Sequence, residues 1–176
     1  MSVLNLESQL SFYRSYHYNT VNVLIHAVFV PTILFSSLGL LNNLKVFSVP
    51  LGILISVGYA GFYLLLEWKA GLISIPLLLG ASFKTNDWLN EPGSQFNKTL
   101  IALFVIGWVV QFIGHGFFEK RAPALLDNLL QAVVLAPFFV LFEGLFLLGY
   151  RTDLKTTIDK RVEVNIAEFK KSKLKN

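Results

Sequence analysis

Apolar residues fall into five long runs, separated by short polar stretches and flanked by two amphipathic ends. In residues 1–16, Val3, Leu6, Leu10 and Tyr13 recur at three- and four-residue spacing with Glu7, Gln9 and Arg14 between them. That pattern predicts a short amphipathic helix lying in a membrane interface. Tyr16 to Thr20 break it with polar and aromatic side chains suited to a turn and a helix cap. A first spanning segment is predicted at about Val21–Leu41, with His26 roughly one turn inside its start and Pro31 deeper, where a kink is expected. A second is predicted at about Val46–Leu66 and is closed by the interfacial cluster Glu67, Trp68 and Lys69. Gly71–Phe83 makes only about 20 Å of helix against a ~30 Å hydrocarbon core, so it either spans by recruiting flanking residues or re-enters.

The polar stretch Lys84–Lys98, with Asn86, Asp87, Asn90, Pro92 and Gly93, reads as a loop. A fourth segment runs from about Thr99 to Phe118 and ends in Glu119-Lys120-Arg121. The fifth begins near Pro123, passes Asp127, Asn128 and Gln131, and continues to about Gly149 with an interruption at Pro137. From Arg151 onward, Leu154, Ile158, Val162, Ile166 and Phe169 at helical spacing predict an amphipathic surface helix with a frayed basic end. The expected fold class is therefore all-α: a polytopic membrane helix bundle of four to five apolar segments. It forms one transmembrane domain over 1–150, followed by a basic cytosolic tail over 151–176.

Composition strengthens this picture. At 54% hydrophobic and a mean hydropathy of +0.58, the chain matches a bilayer environment better than a water-soluble one. The pI near 9.3 resembles a nucleic-acid signal, yet eight of the fifteen basic residues lie from Arg151 onward. Basic charge beside a membrane segment marks the cytosolic side and anionic lipid, so no nucleic-acid partner is expected. No basic stretch precedes an early apolar run, so a cleaved signal peptide is not expected. With no cysteine, disulfides and thiolate metal sites are excluded, leaving imidazole, carboxylate, carbonyl or water as metal ligands.

Candidate chemistry centres on GWVVQFIGHGFFE, residues 107–119, where Gln111, His115 and Glu119 follow one another at four-residue steps on one helical face. Polar groups there are costly in lipid, so they mark a site or a buried polar contact. If the first four segments all span, the first starts and the fourth ends at the same membrane face, which brings His17, His26 and His115 together. Lys120 and Arg121 point to a cytosolic face. A spanning fifth segment would put the basic tail on the far side, and a turn back at Pro137 would resolve that conflict. Three imidazoles would leave about three positions of an octahedral ion for substrate and oxygen. Alternatively, each histidine makes only an interhelical or interfacial hydrogen bond. Glu119 can orient an imidazole or ligate, Glu143 must face the bundle, and the three tryptophans read as membrane anchors. There is no HExxH, phosphate-binding glycine loop or GxSxG, and a hydrolase built on His115 and Asp127 has no matching serine. A non-enzymatic membrane scaffold or small transporter is the competing class.

The runs FYRSYHYNTVNVLIHAVFVPTILFS (12–36) and IGWVVQFIGHGFFEKRAPALLDNLLQAVVLAPFFVLFE (106–143) resemble the family of endoplasmic-reticulum 2-hydroxy fatty acid dioxygenases of phytosphingosine breakdown. The resemblance implies an Fe(II)-dependent enzyme that shortens a 2-hydroxy fatty acid by one carbon with molecular oxygen. It implies His17, His26 and His115 as the metal-binding histidines. With that substrate class, Glu119 and Gln111 become candidate catalytic residues, and Asn19, Asn22, Lys120 and Arg121 candidate substrate-binding residues. Gly114 and Gly116 then offer room for close helix approach. Family members resembling yeast's carry a second histidine directly after the first, where this chain has Tyr18, and a proline where it has Thr20. Tyr18, Glu119 or water would have to replace such a ligand.

Overall fold

The computed structural model describes residues 3–120 and 128–173. Its helices are α1 (Leu6–Tyr16), α2 (Thr20–Leu41), α3 (Leu51–Leu66), α4 (Trp68–Asn90), α5 (Phe96–Ile113), α6 (Ala136–Leu147) and α7 (Thr152–Lys173). π-helical turns occupy Gly114–Glu119, which continues α5, and Gln131–Leu135, which leads into α6. A two-residue antiparallel hairpin, Lys45–Val46 with Val49–Pro50, is the one sheet among the described residues. Three helix starts are capped by side chains accepting a free backbone N–H: Asn5 from Ser8 at 2.9 Å, Asn19 from Val21 at 2.9 Å and Glu67 from Ala70 at 2.7 Å.

Helices α2 and α5 run antiparallel in intimate contact. Asn43 and Asn97 exchange amide hydrogen bonds at one end, Gly107 lies against Ile33 midway, and Gly114 meets Asn22 at the other end. A Cβ on Gly114 would lie 2.3 Å from Asn22 Oδ1, so only glycine permits this approach. Gly116, expected to share that duty, is exposed and has open space where a Cβ would stand, with nothing within 4 Å. The α3–α4 hairpin packs on α2, where buried Asn42 donates to Ser82 O (2.8 Å) and Thr85 Oγ1 (3.1 Å). That buried contact explains the first departure from expectation. Thr85 is drawn into the bundle, α4 continues to Asn90, and the loop expected over Lys84–Lys98 shrinks to residues 91–95. Segment three is thereby lengthened at its C-terminal end, and the Glu67 cap starts its helix at Trp68.

Among the described residues two helices, Thr20–Leu41 and Phe96–Glu119, are long and apolar enough to cross a membrane. A third candidate arises only if Gln131–Leu147 and Thr152–Phe169, bent by 116°, are counted together; Leu51–Leu66 is apolar but shorter. Outward residues such as Leu24, Val28, Val105 and Val109 leave an apolar exterior of the kind a bilayer covers. The second departure concerns the turn expected at Pro137. The chain turns between α6 and α7 instead, at Gly149 (φ 81°) and Arg151 (φ 49°). Pro137 stands in the first turn of α6, where its missing N–H cannot serve the carbonyl of Val133. Tyr59 donates to that carbonyl at 3.1 Å and Tyr63 to Val134 O at 2.5 Å.

Helix α7 folds back over α1. Leu154, Ile158 and Val162 are buried, Arg161 pairs with Glu7 at 2.8 Å, and Asn165 donates to Ser15 Oγ at 2.9 Å. Arg14 joins three helices by pairing with Glu143 of α6 (3.0 Å) and Asp159 of α7. The core beneath is aromatic: Tyr13, Phe138, Phe139 and Phe142. Pro123, Asp127, Arg121 and the last three residues of the basic end lie outside the described residues.

Gly114→Ala is expected to force α2 and α5 apart and cost about 1–3 kcal/mol, read as a lower thermal midpoint in detergent. Gly116→Ala, with open space beside it, is expected to leave the midpoint unchanged or raise it slightly.

Candidate metal centre

The antiparallel register of α2 and α5 determines what meets at their shared end. His26 comes from the second turn of α2, His115 from the π-helical turn, and His17 from the C-cap of α1. The three rings meet edge to face, with centroids 4.3 Å (His17–His26), 4.9 Å (His17–His115) and 4.8 Å (His26–His115) apart. All three are buried, and one ring nitrogen of each lies within 4.8 Å of the other two.

Local structure sets which nitrogen two of these rings present. His17 Nδ1 lies 2.7 Å from Tyr13 O, and His26 Nδ1 lies 2.9 Å from Asn22 O, each one helical turn back. A carbonyl oxygen only accepts, so Nδ1 must carry the hydrogen and Nε2 keeps its lone pair. A backbone acceptor behind each imidazole is the usual support for a metal ligand, since it holds both tautomer and ring orientation. Tyr13 adds to this by stacking on His17 at 4.0 Å. Burial, with the Glu143 carboxylate nearby, pushes the Tyr13 phenol above its ordinary pKa, so it remains neutral. Three buried imidazoles, two of them held this way, fit a divalent transition metal.

Glu119 is buried and works on backbone. Its Oε1 accepts from Tyr18 N (3.0 Å), Asn19 N (2.9 Å) and Asn22 Nδ2 (3.3 Å). The carboxylate thus caps the start of α2 and pins the residue after His17 to the end of the π-helical turn carrying His115. Tyr18 OH donates to Glu119 O at 3.2 Å, which commits that hydroxyl to the same joint. Asn19 serves as the helix cap, Asn22 holds Glu119, and Lys120 is exposed in a left-handed conformation. Arg121 lies outside the described residues.

The histidines face a cavity of about 40 Å³ that is also lined by Tyr13, Trp108, Gln111, Phe112 and Gln131. Trp108, Gln111 and Ala132 are shared with an apolar groove of about 350 Å³ between α2, α3, α5 and the Gln131–Leu135 turn, reaching Leu38, Leu41 and Ile55. On the other side of His17 lies a polar recess with Arg14, Tyr18, Glu143 and Asp159. Of the residues singled out from sequence, the cavity gathers the three histidines and Gln111. It adds Tyr13, Trp108 and Gln131. Tyr13 carried a usable signal, since it lies four residues before His17 on one helical face, whereas Gln131 was one of several polar residues in its segment.

The protein-family profile described as 2-hydroxy-palmitic acid dioxygenase Mpo1-like matches residues 3–147. The chain is 47% identical over 163 residues to the 2-hydroxy-palmitic acid dioxygenase of Saccharomyces cerevisiae, with 92% of each chain covered. No solved structure matches significantly.

Glu119→Ala is expected to weaken metal affinity about 10–100-fold, because it releases the start of α2 from the end of α5. Glu119→Gln keeps an acceptor oxygen and is expected to retain most of that affinity, as measured by metal titration of the purified protein.

Proposed function

The chain belongs to the Mpo1-like family of 2-hydroxy-palmitic acid dioxygenases, and from that membership we propose that it is an iron(II)-dependent dioxygenase shortening 2-hydroxy long-chain fatty acids by one carbon. The observation that carries this assignment is the convergence of three buried histidines, two with Nδ1 tied to backbone carbonyls, beside a cavity that continues into an apolar groove. His17, His26 and His115 would hold the metal. Iron(II) would supply the redox chemistry with molecular oxygen that none of these side chains possesses.

The protein's own groups bind and orient the amphiphile. A 2-hydroxy acid carries its two polar functions on adjacent carbons at one end, which suits a small polar cavity joined to a long apolar one. The groove follows α2 from Val30 to Leu41, a rise of about 16 Å, and would bury the acyl chain. Gln111 stands at the junction, and its buried Nε2 has no hydrogen-bond partner among the described residues. It would donate to the substrate carboxylate. Lys120, with Arg121, would attract that carboxylate to the mouth. Glu119, Asn19 and Asn22 act through the joint they form, holding the histidines in register. We further place the enzyme in the endoplasmic-reticulum membrane with this mouth toward the cytosol, on the resemblance and on the basic charge at this end.

His115→Ala is expected to abolish stoichiometric iron binding and turnover of 2-hydroxypalmitate by detergent-purified protein. Full iron and full turnover in this variant would overturn the proposal, and a wild-type protein that never takes up iron under anaerobic Fe(II) loading would favour a scaffold. Ser37→Trp, which fills the far part of the groove, is expected to shift kcat/KM toward shorter 2-hydroxy acids. Excluding two methylenes from burial costs about 1.6 kcal/mol, roughly tenfold in the ratio of long to short substrates.

A further inference from the structure

We infer that the side-chain carbonyl of Gln131 reads the 2-hydroxyl group, so that this residue makes the site selective for hydroxy acids over unsubstituted fatty acids; the inference rests on the dioxygenase assignment above. Gln131 is 97% buried, lines the histidine cavity and lies in the π-helical turn before α6. Its backbone N–H donates to Asn128 Oδ1 at 3.1 Å, which steadies the main chain. Its side-chain Nε2 donates to Gln9 Oε1 on α1. With Nε2 turned to Gln9, Oε1 is a buried acceptor with no partner among the described residues.

A buried carbonyl without a donor costs free energy until one arrives. Within this cavity Gln111 offers the opposite deficiency, an unmatched donor. The pair asks for a ligand with a hydrogen-bond acceptor and a hydrogen-bond donor close together. A 2-hydroxy carboxylate has both on neighbouring carbons, its carboxylate meeting Gln111 and its hydroxyl proton meeting Gln131. An unsubstituted fatty acid in its carboxylate form has acceptors alone, so its binding would leave Gln131 Oε1 desolvated and unmatched. A site built to receive a hydroxyl rejects the analogue lacking it for this reason.

The test is equilibrium binding of 2-hydroxypalmitate and palmitate to full-length protein in detergent, under nitrogen to prevent turnover. Gln131→Met preserves side-chain length and removes the acceptor. The expected result is that the affinity ratio of 2-hydroxypalmitate to palmitate falls about tenfold, with palmitate affinity unchanged or higher because the unmatched acceptor is gone. Gln9→Met releases the anchor and leaves the carbonyl, so a smaller fall in the same ratio is expected. If Gln131→Met does not fold, Gln9→Met decides, and an unchanged ratio there counts against the inference. An unchanged ratio in Gln131→Met, or equal weakening of both ligands, would overturn it and make Gln131 a packing residue. Should wild-type protein fail to turn over 2-hydroxypalmitate in air, the dioxygenase assignment itself falls, an outcome distinguishable from both.

Discussion

One buried carboxylate holds the functional end of this bundle together. Glu119 sits where α5 finishes and receives three N–H groups from the beginning of α2 and the residues joining it to α1. Two of those donors are orphan main-chain groups at a helix start, which would otherwise be stranded in an apolar surrounding. The same contact fixes the three segments that contribute the histidines. Gly114 makes it possible by letting Asn22 approach the α5 backbone, so a glycine and an acid five residues apart define one joint.

The other buried polar groups of the bundle follow the same rule. Tyr59 and Tyr63 serve carbonyls around the π-helical turn before Pro137, and Asn42 ties α2 to α4 at the opposite end. Arg14 links α1, α6 and α7 through two carboxylates, placing the charged helix α7 across the same end as the histidines. Each of these contacts satisfies groups that lipid could not. The contacts of Glu119 and Arg14 gather polar groups at the histidine end, while the groove beyond Trp108 is lined mostly by apolar side chains. A cavity with polar groups at one end and an apolar groove beyond it match a substrate with a small polar head and a long tail.

The two π-helical turns among the described residues border the cavity, one carrying His115 and the other Gln131. Such turns accompany functional sites because the extra residue re-aims a side chain without ending the helix. Beside Gln131, Pro137 cannot bond Val133, whose carbonyl accepts instead from Tyr59 of α3, and the next carbonyl, of Val134, accepts from Tyr63.

Local periodicity and apolarity sufficed to determine the all-helical class, the amphipathic character of both ends, and the polar intrusions of Gln111, His115 and Glu119. Those properties depend on near neighbours along the chain, where the helical repeat acts. The dioxygenase chemistry came from resemblance across two long motifs, because three histidines alone are equally compatible with simple packing. Tertiary structure decided the rest. That Asn42 would pull Thr85 into the bundle and shorten the loop, or that the chain would turn at Gly149 rather than Pro137, depends on partners more than forty residues away or on a choice between two breaks of similar strength. The task of Glu119, capping α2 across about a hundred residues, and the unmatched carbonyl of Gln131 depend on helix register, which hydrophobic spacing does not encode.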